Sequence, residues 1–293
     1  MNKTLYCRSG QASFIIILTC FVTLAFYSIT MAWMGPVPES ASETVSESVS
    51  ETVSETISAS ESATATASVS VPESISGQWT NASPEGFDHF HRQVLTVDDL
   101  LSWQRLGNGY FGNFRNRALQ MTEDEHSDGL MLVSRKSFGT DLVVTCDVMT
   151  LRPATVLVLM LSASDGDGTG QLNIPAGFNG ALSAWGAGAV DYFFAFHNAP
   201  HFRHPFVNRR GTNGPQLLME ADRNYMRPGQ WHRVEIGRSG SRLWLRIDGK
   251  MVLDVIDETP LGAGHIAFRT VGSGTERASL FIKDVIIHTP TAP

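Results

Sequence analysis

Between Asp191 and Arg210 an aromatic run, Asp-Tyr-Phe-Phe-Ala-Phe, empties into His-Asn-Ala-Pro-His-Phe-Arg-His-Pro-Phe-Val-Asn-Arg-Arg, which holds three of the chain's nine histidines. That is more side-chain chemistry than a connection needs, and binding and catalytic groups concentrate on loops held by a rigid scaffold. No Asp or Glu stands between Tyr192 and Met219. Arg, Asn, His and Tyr without an acid suit β-elimination from a uronate sugar. There a carboxylate must be neutralised so that the adjacent carbon acid can lose its proton, and a base and an acid must flank the ring. Arg203, Arg209, Asn198 and Asn208 are the candidates to hold the carboxylate; His197, His201, Tyr192 and Tyr225 are the candidates to move protons. In a regular strand Tyr192 and His197 point to opposite faces, which favours His197 and its loop neighbours. The competing interpretation is that these histidines bond to backbone carbonyls and pack the loop.

Two other chemistries have residues to carry them. Glycoside hydrolysis needs two carboxyl groups, about 5–5.5 Å apart for retention and about 6.5–9.5 Å for inversion. Glu220 and Asp222 are the visible pair. Two apart in a strand, they share a face with Cα atoms roughly 6.5–7 Å apart; the alternative is a solvated strand end before the turn at 223–229. Glycan binding without catalysis needs only an aromatic face and fixed polar groups. Trp244 beside Arg246 on one strand face, and His265 with Arg269 on another, supply these, with ordinary sheet packing as the alternative for Trp244.

Several classes are disfavoured. Cys7 and Cys20 lie near the N-terminus and Cys146 is alone beyond them, so the downstream region has no internal disulfide, and Cys146 reads as a buried, inert thiol. No Cys/His spacing matches a zinc site. Asp165-Gly166-Asp167-Gly168 looks like a cation loop but lacks the regular oxygen ligands of a calcium motif. The sequence therefore implies no cofactor and no metal, a structural calcium at that loop being the one open alternative. The chain has a net charge of −7, but seven of its 29 acidic residues and only Lys3 and Arg8 of its 22 basic ones precede residue 77. The remainder is close to neutral, without the basic excess of a nucleic-acid binder.

The elements that must position these groups are almost all strands. Runs at Leu130–Val133, Leu142–Met149, Thr155–Ser162, Asp191–Phe196, Gln216–Glu220, Trp231–Gly237, Arg242–Ile247, Met251–Ile256, His265–Val271 and Ala278–His288 are separated by turn signals. Strands at this spacing predict a two-sheet antiparallel sandwich or a barrel. The one helix expected is brief, around Val97–Trp103 with Thr96 as N-cap. Leu243, Leu245 and Ile247 point one way and Arg242, Trp244 and Arg246 the other, and Asp248-Gly249 makes the hairpin turn.

The closing succession, Trp231-His-Arg-Val-Glu-Ile-Gly, Arg242-Leu-Trp-Leu-Arg-Ile-Asp-Gly-Lys and Gly264-His-Ile-Ala-Phe-Arg-Thr, resembles the last strands of the concanavalin A-like lectin/glucanase superfamily. The blocks Phe196-His-Asn-Ala-Pro-His-Phe-Arg and Gly214-Pro-Gln-Leu-Leu-Met-Glu resemble the YesU-like bacterial family, a resemblance that spans residues 87–288. It implies a jelly-roll sandwich and a role on plant or algal polysaccharides. Glu220-x-Asp222 is similar to the start of the glucanase motif Glu-x-Asp-x-x-Glu, but position 225 is Tyr, so the motif is broken. The superfamily holds lectins, hydrolases and lyases, and fold does not choose among them.

Upstream, Phe14–Met34 is an uncharged apolar run of 21 residues preceded by Lys3 and Arg8. It is long enough to span a membrane and is oriented with its N-terminus in the cytoplasm; a cleaved signal peptide is the alternative. Residues 36–76 are Ser/Thr/Glu/Val-rich without Lys, Arg or aromatic residues, and cannot bury enough apolar area to offset the entropy of ordering. The expected organisation is an anchor or signal at 1–35, a disordered stalk at 36–76 and a jelly-roll domain at 77–293. That domain lies outside the cytoplasm, tethered to the membrane or released. Its expected partner is a polysaccharide or oligosaccharide, degraded by a lyase in preference to a hydrolase, or else bound by a non-catalytic module; no nucleic acid is expected, and the oligomeric state is open.

Overall fold

The computed structural model describes residues 90–291 apart from Ala187 and Thr212; the anchor and stalk expectations at 1–76 lie outside the described residues. The described chain forms two antiparallel sheets. The strands are β1 (Phe90–Leu95), β2 (Gln104–Leu106), β3 (Gly109–Phe114), β4 (Ala118–Glu123), β5 (Leu130–Val133), β6 (Leu142–Thr150), β7 (Val156–Ser164) and β8 (Val190–His197). They continue with β9 (Phe206–Gly211), β10 (Gly214–Glu220), β11 (His232–Ser239), β12 (Arg242–Ile247), β13 (Lys250–Ile256), β14 (His265–Val271) and β15 (Ser279–Pro290). One sheet runs β13-β12-β11-β6-β15-β4-β3 with β1 also on β15, and the other runs β10-β9-β8-β7-β14-β5-β2. All pairings are antiparallel, which fits the expected all-β sandwich.

Strand alternation builds the core. Leu243, Leu245 and Ile247 of β12 point between the sheets, together with Tyr192, Phe194 and Phe196 of β8 and Leu157, Leu159 and Leu161 of β7. The β12–β13 turn places Asp248 at φ 51° and Gly249 at φ 76°, the pair of positive φ angles that a two-residue hairpin needs to follow the strand twist. Thr96 caps α1 (Val97–Leu101) in a reciprocal box with Asp99.

β7 departs from simple alternation, because every residue from Val156 to Ser164 is buried. A continuous apolar strand is covered on both faces. The cover on the outer face is the segment 165–189, which includes α2 (Leu182–Gly186), a helix the sequence reading did not anticipate. Leu172, Ile174, Phe178, Leu182 and Trp185 from this segment pack on Met131, Val133, Val158, Met160 and Ala267. The strap is fastened by polar bonds too: Trp185 Nε1 donates to Asp191 at 3.0 Å, and Asn179 Nδ2 donates to Asp128 at 2.5 Å. Gly180 sits so close to Gly129 that a Cβ there would lie 1.8 Å from the Gly129 carbonyl oxygen.

Candidate functional site

Beside the strap, the outer face of the β8-containing sheet opens into a hollow of about 610 Å³. Its floor comes from alternate residues of neighbouring strands: Phe193 of β8, Phe206, Asn208 and Arg210 of β9, and Arg269 of β14. Asn198, His201 and Arg203 of the β8–β9 loop form one wall, Leu182 and Ser183 of the strap another, and the β9–β10 turn a third. No Asp or Glu is among the lining residues.

Three guanidinium groups reach this hollow, and they differ in how their charge is met. Arg210 is buried over fully buried Asp191, donating from Nε at 3.0 Å and Nη2 at 2.6 Å, and lies 4.6 Å from the centre of the Phe193 ring. Arg203, on the open side, pairs with Glu220 at 2.6 Å and stacks 4.3 Å from the Phe206 ring centre. Arg269 is 6% exposed. Its Nη2 donates to the carbonyls of Asp128 at 3.1 Å and Gly180 at 3.4 Å, while its Nε finds no partner among the described residues. Burial, then the neighbouring positive charge of Arg210, push the Arg269 guanidinium down to about 10, and the negative charges of Glu123 and Asp128 oppose this through space. A buried cation without a paired carboxylate is expensive, so this position favours an anion arriving from outside. The buried Oδ1 of Asn208 is also without a partner among the described residues.

The loop wall is held firmly around its exposed side chains. The Asn198 carbonyl accepts from His201 N at 3.0 Å and Arg203 N at 3.4 Å, His204 Nδ1 donates to the Ala221 carbonyl at 3.1 Å, and Ala221 N donates to the Pro205 carbonyl at 2.8 Å. At the tip Phe202 is 98% exposed and has φ 56°. Left-handed backbone is uncommon for a bulky residue, and an exposed Phe gives up its burial free energy.

The hollow thus gathers Asn198, His201, Arg203, Asn208 and Arg269 from the residues singled out in the sequence. The others sit elsewhere. His197 is 2% exposed and does not line this hollow. Its Nδ1 is 2.6 Å from the Thr155 carbonyl, which can only accept, so Nδ1 carries the proton. Burial foremost, with the charge of His232, holds its imidazole below the ordinary range. A register shift next to Leu157 lets His197 leave the alternation, and its geometry is that of a packed histidine rather than a base open to substrate. Tyr192 is fully buried between the sheets, donating to Asp257 at 2.7 Å and accepting from Leu261 N at 2.8 Å; burial and the bond to Asp257 push its phenol up to about 12. Arg209 faces that same group, bonded to Asp257 at 3.2 Å and to Thr259.

Glu220 and Asp222 are exposed outside the hollow. The hydrogen bond from Arg203 holds the Glu220 carboxyl below its usual range, and Asp222 accepts from Tyr225 Oη at 3.1 Å. Trp244 is 1% exposed, with its indole over Gly237 and its Nε1 donating to Glu235 at 2.9 Å, so it offers no ring face to a sugar. Arg246 also reaches Glu235, at 3.3 Å. His265 bonds to the Ser134 carbonyl at 2.7 Å and lines a second hollow of about 510 Å³ beyond the strap, apart from Arg269. In the Asp165–Gly168 loop both carboxylates serve local turns: Asp165 accepts from Asn173 and Asp167 from Thr169.

Arg210 stood out in the sequence only as part of a basic cluster, without a role, and Asp191 and Phe202, which also shape the hollow's surroundings, were not singled out at all. The available signal was the alternation of Phe206, Asn208 and Arg210, obscured because Pro205 and the double arginine make β9 look like loop.

No family model matches the chain, and no curated protein matches it by sequence. Solved structures do match in shape. A Bacillus subtilis protein of unknown function with a galectin-like fold superposes with a TM-score of 0.55 at 14% identity, covering 69% of this chain and 96% of that one. A prokaryotic β-1,3-1,4-glucanase (lichenase) derived from a mouse hindgut metagenome has a TM-score of 0.46 at 14% identity, covering 69% and 100%. A carbohydrate-binding module of Bacillus subtilis has a TM-score of 0.45 at 13% identity, covering 64% and 95%. The fold is accordingly galectin-like.

Proposed function

We propose that this protein is carbohydrate-active and takes a uronate-bearing glycan in the hollow between the β8–β9 loop and the strap. The observation that carries the proposal is Arg269: a buried guanidinium, facing a hollow without acidic lining residues, whose Nε is unsatisfied among the described residues. A sugar carboxylate there would gain charge-assisted hydrogen bonds from Arg269. His201 is the one histidine or tyrosine among the lining residues, and it is exposed. With the carboxylate neutralised by Arg269, His201 is placed to act as the base of a β-elimination. Hydrolysis by two carboxylates has less support, since Glu220 and Asp222 lie outside the hollow and Glu220 is tied to Arg203.

A second reading, binding without turnover, is favoured by one observation: with Tyr192 buried between the sheets and Tyr225 outside the hollow, no tyrosine stands ready as the complementary acid. In either case the apolar N-terminal run supports a role outside the cytoplasm, tethered or released. The test incubates the full-length protein with neutral and uronate-containing polysaccharides, following ultraviolet absorbance of unsaturated products, reducing ends and binding. Absorbance rising with reducing ends on a uronate polymer is the expected result; binding alone selects the module, and reducing ends without absorbance contradict elimination.

A further inference from the structure

We infer that the hollow is blind on its strap side and receives the end of a glycan chain, not an internal stretch. The inference rests on the acidic-glycan reading above and narrows it.

The strap walls two hollows among the described residues: Leu182 and Ser183 face the first, Gln171, Leu172 and Ile174 the second. Between them the strap's apolar residues are already packed on β5, β7 and β14. A chain crossing from one hollow to the other would have to displace Trp185 from a buried bond to Asp191, and Asp191 also holds Arg210 in the first hollow. The strap is tied to the anion position itself, because Arg269 donates to the Gly180 carbonyl. The block and the binding group are therefore one construction, and a sugar whose carboxylate meets Arg269 has the strap against it.

The β8–β9 loop forms another wall. Phe202 breaks two rules at once, being fully exposed and left-handed, on a loop whose neighbouring residues are pinned. Backbone strain of this kind persists where the surroundings enforce it, and gathers at binding sites. Flanked by His201 and Arg203, both of which line the hollow, Phe202 is positioned to offer its ring to the next sugar as the chain leaves. The ligand is thus a terminal uronate with at least one further sugar.

The experiment uses full-length protein and size-fractionated polygalacturonate and alginate at equal mass, with carboxyl-reduced fractions as controls, and reads binding capacity by calorimetry. If chain ends are bound, capacity per gram falls tenfold when chain length rises tenfold, while molar capacity stays constant. Capacity that follows mass irrespective of length overturns end binding and leaves the acidic-glycan reading intact. No difference between uronate and carboxyl-reduced fractions removes both. Phe202→Ala, at an exposed position that folding does not depend on, should weaken disaccharide binding at least several-fold and leave galacturonate monomer unchanged. Equal loss for both, or none, contradicts the assigned role of Phe202 at the exit.

Discussion

Replacing Arg269 by Met should make the protein more stable and its site weaker. The guanidinium is pushed from an ordinary 12.5 to about 10 chiefly by burial, which corresponds to about 3 kcal/mol of folded-state penalty at about 1.36 kcal/mol per tenfold. The sign follows from linkage: a base whose folded value is depressed binds fewer protons when folded, so the penalty is complete at every pH below about 10 and fades only above it. Methionine removes the charge but also the bonds to the Asp128 and Gly180 carbonyls, worth about 1 kcal/mol each. The net expectation is a gain of about 1 kcal/mol, or a Tm higher by about 2–4 °C for a domain of this size. Uronate binding should meanwhile weaken about ten- to hundred-fold through loss of a charge-assisted contact. Differential scanning calorimetry with and without galacturonate oligomer reads both effects. At a ligand concentration of about 100 Kd the parent gains about 2.7 kcal/mol, a gain the variant lacks at the same concentration. A Tm that falls by several degrees in R269M would refute the reasoning, because Arg269 would then be a stabilising member of a satisfied network.

Other outcomes follow from the same geometry. Asp191→Ala strands the buried Arg210 and should cost about 3–5 kcal/mol, a Tm drop of roughly 10 °C; adding Arg210→Met should recover most of it. Glu220→Gln breaks only a partly exposed pair with Arg203, worth about 0–1 kcal/mol, so Tm should stay within about 2 °C and uronate turnover should persist; loss of turnover with intact folding would point to hydrolysis. His201→Ala should abolish unsaturated product while binding survives. His197 gives a pH signature: its folded imidazole is held below the ordinary value by burial, whereas the unfolded chain takes up a proton near pH 6.5. Stability is unaffected above that pH and falls as pH drops below it. In His197→Asn the Tm loss between pH 7 and pH 5 should be measurably shallower.

The fold was largely written in local patterns. Alternation in Arg242–Ile247 identified its inner face, Asp248-Gly249 its turn, and Thr96 with Asp99 the start of α1, because each depends on neighbours in the chain. What alternation does not say is whether an outward face meets water. Trp244 faces outward yet is buried, since Gly237 on the neighbouring strand leaves room for its indole to lie flat. His197 shows the converse limit: a register shift changes which face a residue serves, and no local pattern announces it. The strap was illegible for a related reason, as its apolar residues are scattered through a Gly- and Asn-rich segment without period. The strands β1 to β4 and β9 were also passed over, being short, polar or interrupted by Gly and Pro. The His/Arg loop stood out in the sequence as a place, and it walls the hollow, but the groups that meet there, Arg210 over Asp191 and Arg269 from β14, are joined only by the sheet order.

The central claim is that Arg269 holds a sugar carboxylate, and the most direct measurement titrates one uronate oligosaccharide and its carboxyl-reduced counterpart into the same preparation of the full-length protein. The account predicts that the acid form binds at least tenfold more tightly and that the preference disappears in Arg269→Met. Equal affinity for the two forms in the parent protein, or a preference that survives in the variant, would contradict it.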